Sequence, residues 1–261
     1  MDEIVTEQTG SVLRVQLNRP KRRNAMTSAM YVALAEILDN AARDERVRVV
    51  LWHGAGESFC AGNDIEDFLK NPPGPGESPQ ARLMGALIDF DKPLIAAVQG
   101  AAIGGGTTML LHCDFVYAGE SAKFQLPFIN LALVPEFGSS AILPARIGHL
   151  RAAELILLGS PIDARRALDL GLVTQVLTDR DLLATATAIA AKLAAKPVGA
   201  LKASKRLLKQ PSREAIKAAM KAENEEFSVQ VRSLDAKEAL TAFLEKRPPE
   251  FNKAVKSPAT A

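Results

Sequence analysis

The sequence predicts an α/β fold that continues into a helical C-terminal part. Over about the first 180 residues, short strand-like apolar runs alternate with stretches of helical periodicity. From about Arg180 onward, nearly every stretch has a helical pattern. Because strands that alternate with helices are typical of α/β domains, we divide the chain into a core, residues 1–195, and a helical C-terminal subdomain, residues 196–261.

The first predicted elements are two strands and a helix. Residues 3–18 alternate as strands around a turn at Gly10. After Thr27 the apolar residues recur at helical spacing, so Thr27 or Ser28 is the expected N-cap. Residues 47–52 predict the next strand, which ends at the glycines that follow.

The segment from Asn71 to Pro79 holds four prolines and two glycines, so it cannot be the interior of a helix or strand. We expect a mobile excursion or a lid. The elements predicted beyond it are a helix near 80–90, a strand at 94–98, a helix opening at the glycines 104–106, a strand at 114–118 and a helix beginning around Pro135. In the C-terminal part, Pro197 and Pro211 predict helix ends.

The charge and cysteine content limits the classes of function. With 32 Lys and Arg against 30 Asp and Glu, the net charge of +2 gives no reason to expect nucleic acid as a partner. Cys60 and Cys113 have no CxxC spacing and no His cluster, so neither a metal site nor a disulfide is expected. No secretory signal opens the chain, and four glycines interrupt the uncharged stretch 93–113, so we expect a cytoplasmic protein without a membrane span.

Two glycine-containing loops, 58–65 and 100–106, each follow a predicted strand and precede a helix. Backbone N–H groups at a helix start lack intrahelical partners and attract negative charge. Two of them that converge on one oxygen form an oxyanion hole, in which each donor lowers a barrier by about 3 kcal/mol. Taken alone, each loop is equally explained by close packing of a strand on a helix. Neither loop has the spacing of a phosphate-binding GxxxxGK[ST] or GxGxxG motif.

Several motifs resemble those of the crotonase family, the enoyl-CoA hydratases and isomerases. They are Arg19–Thr27, which resembles RP-xxx-NA(M/L), Ala61–Ile65, which resembles AG-x-D-(I/L), the glycine loop at 104–106 with Cys113-Asp114, Ala118 and Ala122–Phe124, and Asp163-Ala164 with Ala167 and Gly171–Val173. The resemblance implies a spiral of ββα units followed by helices used in trimerisation. It also implies an acyl-CoA thioester as the partner, no separate cofactor, and a homotrimer or a dimer of trimers.

The resemblance also implies the site residues. The N–H groups of Asn63 and Gly105 align with the oxyanion hole. Around them, Ala61, Gly62, Asp64, Ile65, Gly104 and Phe128 are expected to line the substrate site, with Asp64 also holding its loop. Lys21, Arg22 and Ala25 align with positions that hold the nucleotide and phosphates, although a solvated loop would explain these cations as well. Phe243 and Phe251 are expected to contact the nucleotide from a neighbouring subunit.

The hydratases of the family use two glutamates, and here those positions hold Thr108 and Phe128. Neither side chain accepts a proton from water at neutral pH, so hydration by paired carboxylates is not expected. A different carboxylate is available, because residues 135–140 resemble the PEG-x-S segment of peroxisomal-type Δ3-Δ2-enoyl-CoA isomerases, whose glutamate is the catalytic base.

Glu136 therefore becomes the expected base. With Pro135 at a helix start, Glu136 would lie in the first turn, where the helix dipole lowers its pKa and apolar neighbours raise it. The sequence leaves the balance of these effects open. An ordinary first-turn carboxylate that stabilises its helix is the alternative interpretation.

The sequence thus predicts an enzyme of fatty acid metabolism that isomerises 3-enoyl-CoA to trans-2-enoyl-CoA through one glutamate. A hydratase or another crotonase activity, such as a dehalogenase, is the second hypothesis. A non-catalytic acyl-CoA or RNA-binding protein is the third, and its support is the basic stretch 202–221. The simplest interpretation of that stretch is a solvated helix face.

Overall fold

The computed structural model describes residues 2–71 and 78–251. Its strands are β1 (Ile4–Thr9), β2 (Val12–Leu17), β3 (Val49–Gly54), β4 (Leu94–Val98), β5 (Ala101–Ile103), β6 (Phe115–Gly119), β7 (Lys123–Gln125), β8 (Ile162–Asp163) and β9 (Gln175–Leu177). Its helices are α1 (Ser28–Arg43), α2 (Ile65–Lys70), α3 (Pro79–Asp89), α4 (Gly105–Thr108), α5 (Ser139–Ile147), α6 (His149–Leu158), α7 (Ala164–Asp169), α8 (Asp179–Ala194), α9 (Val198–Gln230) and α10 (Leu234–Glu245). Short 3₁₀ turns lie at Pro20–Arg22, Met109–His112 and Ile129–Leu131. The expected mobile excursion or lid falls largely on residues 72–77, which lie outside the described residues.

The strands form two sheets. The larger has the order β1-β2-β3-β4-β6-β9, in which β1 and β2 pair antiparallel and every other neighbouring pair is parallel. The smaller has the order β5-β7-β8. Strands β3 and β4 are buried along their whole length, which is why they are continuous apolar runs rather than alternating ones. The predicted α/β class is confirmed, and so are the strand pair around Gly10 and the N-cap at Thr27, whose side chain accepts from the Met30 N–H.

The large sheet is covered by helices on both faces. On one face, Val50 and Trp52 of β3 share a cluster with α1 and α3. On the other face, Val49 and Leu51 pack with residues of α8, such as Ala186. The alternation of side chains along β3 therefore supplies both cores, and α8 packs as a covering layer of the sheet.

The uncharged stretch 93–113 contains β4, β5, α4 and a 3₁₀ turn. This arrangement confirms the predicted strand at 94–98 and the helix that opens at the glycines 104–106. Within the two described ranges, no helix combines the length and the apolarity that a membrane crossing requires. The same ranges contain no group of three or more His, Cys, Asp or Glu side chains arranged to hold a metal ion.

The C-terminal part is dominated by one long helix. Pro197 is the N-cap of α9, so the predicted break there is confirmed. The predicted break at Pro211 is wrong, because α9 is 33 residues long and continues past this proline. A proline inside a helix removes one hydrogen bond and costs about 3 kcal/mol, so contacts elsewhere along α9 must hold the helix in place.

Those contacts come from the basic stretch. Lys205 is 5% exposed, and its Nζ lies 2.7 Å from Asp114 Oδ2. Beyond Pro211, Arg213 Nη2 lies 3.1 Å from Asp91 Oδ1. The interpretation of 202–221 as a solvated face is therefore wrong for these side chains. They dock both halves of α9 onto the core.

Candidate active site

The two glycine loops lie side by side. The Cys60 N–H donates to the Ala101 carbonyl and the Ile103 N–H donates to the Cys60 carbonyl, both at 2.9 Å. A Cβ at Gly106 would overlap the Cys60 carbonyl, and a Cβ at Gly62 would come within 2.8 Å of the Ile103 oxygen. The glycines therefore permit a close approach of the two loops that no other residue would allow.

The first loop leaves the N–H of Asn63 out of its backbone pairing. Asn63 forms an isolated parallel bridge with Met26, in which the Met26 N–H donates to the Gly62 carbonyl at 2.7 Å and the Asp64 N–H donates to the Met26 carbonyl at 2.9 Å. These bonds use the residues on either side of Asn63. Its own N–H takes no part in the bridge.

The second loop presents the N–H of Gly105 in a similar way. Gly104 is the N-cap of α4 with φ of +54°, and its carbonyl accepts from the N–H groups of Thr107 and Thr108 at 2.9 Å. Gly105 is the first residue of α4, a position whose N–H has no intrahelical acceptor. A bound oxygen could therefore accept from it.

The basic loop at 19–25 is held in place by Asn24. This residue is fully buried with φ of +57°, and its Nδ2 donates to the Ser58 carbonyl at 2.7 Å and to the Ala55 carbonyl at 2.9 Å. Its Oδ1 accepts from the Arg19 N–H at 2.9 Å. One amide side chain thus joins the basic loop to the loop that carries Asn63.

Asp64 has two structural partners. Its Oδ1 caps α2 by accepting from the N–H groups of Glu66 and Asp67, and its Oδ2 lies 2.9 Å from Arg19 Nη2. Asp64 also lines the cleft described next. The residue therefore holds the end of the loop while bordering the site.

A cleft of about 520 Å³ opens between these loops and the C-terminal helices. The predicted residues that line it are Arg22, Ala25, Ala61, Gly62, Asn63, Asp64, Ile65, Gly104, Gly105, Phe128 and Glu136. Lys21 is exposed and lies outside the wall of the cleft. Arg22 is also exposed and pairs with Glu66, with 3.2 Å between Nη1 and Oε1.

The far wall comes from helices α9 and α10. Phe227 of α9 packs edge-on against Phe68 of α2, with ring centroids 6.1 Å apart, and Leu240 and Phe243 of α10 complete this wall. Phe243 therefore lines the cleft of its own chain, whereas Phe251 does not line it. Sequence analysis missed Phe227 and Leu240, because an amphipathic pattern does not reveal which surface a helix covers.

Glu136 does not lie in a first helical turn, as the sequence had suggested. Helix α5 begins at Ser139 with Gly138 as its N-cap, so Glu136 belongs to the preceding turn. The reason is that Phe137 and Gly138 have φ of +60° and +69°, a left-handed conformation that ends any helix from Pro135.

The carboxyl group of Glu136 is buried inside the cleft wall. The residue is 4% exposed, and its Oε1 has no hydrogen-bond partner among the described residues. This Oε1 lies 3.1 Å from the point where Gly105 would carry a Cβ. Burial raises the pKa of Glu136 to about 8, and the negative charge of Glu223 adds to the rise. Desolvation is therefore the main cause of the raised pKa of Glu136.

The turn that carries Glu136 is fixed by neighbouring elements. His112 Nε2 lies 2.7 Å from the Phe137 carbonyl. Burial lowers the pKa of His112 to about 4, so the ring is neutral and the nitrogen that faces a carbonyl must carry the hydrogen. From α9, Glu223 accepts hydrogen bonds from the N–H groups of Gly138 at 2.6 Å and Ser140 at 2.8 Å.

Tyr31 of α1 is a further residue that sequence analysis missed. Its hydroxyl donates to Asn63 Oδ1 at 2.6 Å, and its oxygen lies 2.9 Å from the Cβ position on Gly105. Burial raises the pKa of Tyr31 well above its ordinary value, and the charge of Glu136 contributes. The phenol therefore stays protonated beside the site.

The two positions that carry glutamates in the family's hydratases hold no acid here. Thr108 is fully buried, and its hydroxyl donates back to the Gly104 carbonyl at 3.3 Å. Phe128 lines the cleft with an apolar ring. Of the other carboxylates in the cleft wall, Asp64 is paired with Arg19 and Glu66 is exposed. Glu136 is therefore the buried carboxylate of the described cleft that has an unpaired oxygen.

The chain is similar to known proteins over nearly its whole length. The sequence profile described as enoyl-CoA hydratase/isomerase matches residues 7–254. The chain is 36% identical over 258 residues to the 1,2-epoxyphenylacetyl-CoA isomerase of Escherichia coli K12, covering 96% of this chain and 98% of that protein. It is 35% identical over 252 residues to the 2,3-dehydroadipyl-CoA hydratase of the same organism, covering 96% and 99%. It is 31% identical over 251 residues to the enoyl-CoA delta isomerase 2 of Rattus norvegicus, covering 94% of this chain and 64% of that protein.

A solved structure shows the same fold. The crystal structure of an enoyl-CoA hydratase/isomerase from Pseudoalteromonas atlantica T6c superposes with a TM-score of 0.91 at 40% identity, covering 96% of this chain and all of that chain. The similarity thus extends from the motifs of the sequence to the complete α/β core and its helical C-terminal region. The chain therefore belongs to the crotonase family of enoyl-CoA hydratases and isomerases.

Proposed function

We propose that the protein is a Δ3-Δ2-enoyl-CoA isomerase in which Glu136 moves one proton from C2 to C4 of the acyl chain. The observation that carries this proposal is the buried carboxyl of Glu136, whose Oε1 has no hydrogen-bond partner among the described residues and faces Gly105. A 1,3-proton shift needs one group that acts first as base and then as acid, and consumes no water.

In the proposed first step, the N–H groups of Asn63 and Gly105 receive the thioester oxygen of a 3-enoyl-CoA. The Glu136 carboxylate then takes a proton from C2. The electrons of the C2–H bond form a dienolate that extends to the thioester oxygen, where the two N–H groups stabilise the charge. Each such donor supplies about 3 kcal/mol in comparable sites.

In the second step, the protonated Glu136 returns the proton to C4. The double bond then lies between C2 and C3, conjugated with the thioester carbonyl. A pKa of about 8 suits both steps, because neither the base nor the acid form is strongly favoured near neutrality. The apolar surroundings that raise this pKa also keep water away from the dienolate.

For substrate binding we propose that Lys21 and Arg22 meet the phosphates of coenzyme A. Both side chains are exposed, Arg22 lines the cleft, and Lys21 precedes Arg22 in the chain. Cationic side chains of this kind bind phosphate groups. The apolar wall of Phe68, Phe128 and Phe227 would receive the acyl chain. We also propose a homotrimer or a dimer of trimers, in which a neighbouring subunit would bury Leu207 and Leu208, exposed on α9.

A hydratase is the second candidate, because one relative that covers nearly the whole chain is named a hydratase. Against it, the two family acid positions are Thr108 and Phe128, neither of which activates water. A hydratase consumes water and an isomerase does not, so the products that the enzyme forms distinguish the two candidates.

The deciding experiment measures isomerisation of a 3-enoyl-CoA and hydration of the matching 2-enoyl-CoA by the wild type and by Glu136→Gln. We expect the wild type to isomerise, and the variant to lose between about 10²- and 10⁴-fold in kcat, since its amide cannot exchange the proton. Glu226→Gln, which changes an exposed carboxylate of α9 outside the cleft wall, serves as the control and should retain full activity.

Three results would contradict the proposal. Isomerisation that survives Glu136→Gln would exclude Glu136 as the base. Hydration that is faster than isomerisation in the wild type would favour the hydratase. Salt-sensitive RNA binding without any thioester turnover would instead support a non-catalytic role.

A further inference from the structure

The turn that presents Glu136 has an unfavourable backbone. Phe137 has φ of +60°, which is uncommon for a bulky residue and costs on the order of 1 kcal/mol or more. Gly138 follows with φ of +69° and, as the N-cap of α5, offers no side-chain acceptor to the first turn of that helix. The conformation must therefore be stabilised by groups outside the turn.

Glu223 of α9 supplies the missing acceptors. Its Oε2 accepts from the Gly138 N–H at 2.6 Å and its Oε1 from the Ser140 N–H at 2.8 Å. The amide between them, that of Ser139, donates to the Glu136 carbonyl at 3.1 Å. The three consecutive N–H groups of residues 138–140 are thus fixed, two of them by one carboxylate.

Helix α9 packs too closely on this turn to allow Glu223 much movement. A Cβ on Gly138 would come within 2.8 Å of Ile216 Cγ2, and Glu223 is only 6% exposed. The long helix of the C-terminal part therefore packs against the turn that carries Glu136 through Ile216 and Glu223.

Glu223 affects Glu136 through its negative charge as well as through its hydrogen bonds. A neutral acceptor could also cap α5, but a carboxylate places a second negative charge near Glu136, and this charge raises the pKa of Glu136 further. Burial also raises the pKa of Glu223, while its bonds from Ser140 and Gly138 oppose the rise. The charge of Glu136 in turn raises the pKa values of two titratable groups on neighbouring elements, Tyr31 and Cys60.

We propose that Glu223 is a positioning residue for the proton transfer, which holds the Glu136 turn in its reactive geometry. Its negative charge also opposes the ionisation of Glu136. The proposal rests on the role of Glu136 proposed above. It assigns to α9 a function in the reaction that none of the sequence motifs carries, since Glu223 lies far from all of them in the chain.

The test compares Glu223→Gln with Glu226→Gln, which removes an exposed carboxylate from the same helix. The first measurement follows the Glu136 side-chain carboxyl carbon by ¹³C NMR in the free enzyme as the pH is varied. We expect the midpoint to move to lower pH in Glu223→Gln and to stay at the wild-type value in Glu226→Gln. Because no substrate is present, this result is read independently of whether Glu136 proves to be the base.

The second measurement is isomerisation of a 3-enoyl-CoA. We expect kcat to fall by about tenfold or more in Glu223→Gln with KM nearly unchanged, because a displaced carboxyl loses near-attack geometry without weakening the binding of coenzyme A. Glu223→Asp keeps the charge but shortens the reach, so it should lose kcat while its NMR midpoint stays closer to that of the wild type.

An unchanged midpoint in Glu223→Gln, or a kcat within twofold of the wild type, overturns the proposal. A loss of thermal stability alone also overturns the proposal. A residue that only caps α5 would change neither the NMR midpoint nor kcat. Circular dichroism of each variant verifies that a lost activity does not come from an unfolded chain.

Discussion

The hydroxyl of Tyr31 donates a 2.6 Å hydrogen bond to the side-chain oxygen of Asn63. This bond joins the buried interior of α1 to the residue whose backbone N–H is proposed to receive the thioester oxygen. The same hydroxyl lies 2.9 Å from the Cβ position of Gly105, the residue that carries the second proposed donor. The Tyr31 hydroxyl therefore lies next to both residues of the proposed oxyanion hole.

Replacing Tyr31 by Phe should weaken catalysis without unfolding the protein. The substitution removes one hydrogen bond, worth about 1 kcal/mol, and leaves the Asn63 side chain free to move. We expect kcat/KM for a 3-enoyl-CoA to fall by between about threefold and tenfold. Tyr117→Phe on β6 is the control and should have no effect. Equal losses in both variants would show that Tyr31 contributes only to the core.

Gly105→Ala should greatly reduce catalytic activity, although the backbone conformation at Gly105 does not require glycine. The conformation at Gly105 would accept a Cβ, but that atom would lie 2.9 Å from the Tyr31 hydroxyl oxygen and 3.1 Å from Glu136 Oε1. One of these groups must shift, so we expect kcat to fall by about 10² or more.

The matched control for this change is Gly85→Ala inside α3, where a Cβ meets nothing within 4 Å. Since alanine is the better helix former, this variant should stay active and gain up to about 1 kcal/mol in the free energy of unfolding. Full activity of Gly105→Ala would mean that Glu136 and Tyr31 are less constrained than their burial indicates.

The pH dependence of turnover follows from the raised pKa of Glu136. Because only the ionised form can take a proton from C2, kcat/KM should rise with pH and level off above about 8. At pH 7 about one tenth of the free enzyme would carry the base form, since pH 7 lies about one unit below the pKa. A profile that is flat between pH 6 and pH 9 would contradict this assignment.

The elements with local signals were predictable from the sequence. The turn at Gly10 and the N-cap at Thr27 depend on residues next to them in the chain, and both predictions are confirmed. The helix end at Pro211 was predicted wrongly, because Lys205 and Arg213 hold α9 against the core through partners that are distant in sequence.

The cleft residues that belong to recognisable sequence motifs were predicted, and those on the C-terminal helices α9 and α10 were largely missed. The resemblance to the crotonase motifs pointed to Asn63 and Gly105, and both residues line the cleft. The helix start at Pro135 was wrong, since nothing in a phenylalanine signals the left-handed backbone of Phe137. Glu223 was missed for a different reason. Its partners lie more than eighty residues earlier in the chain, and no local pattern records them.

The last prediction concerns stability, which Glu136 should lower at alkaline pH. Its pKa is about 8 in the folded protein against an ordinary value of 4.5, so between these values the folded protein keeps a proton that the unfolded chain has released. The contribution of this carboxyl to stability therefore falls as the pH rises from about 4.5 to about 8, and stays low above that. Glutamine mimics the protonated acid at every pH. Glu136→Gln should thus match the wild type near pH 5 and exceed it by roughly 3 to 5 kcal/mol near pH 9, as measured by urea unfolding. Glu66→Gln, at an exposed position, should change little at either pH. An equal difference between Glu136→Gln and the wild type at pH 5 and pH 9 would show that the Glu136 pKa is not raised by folding.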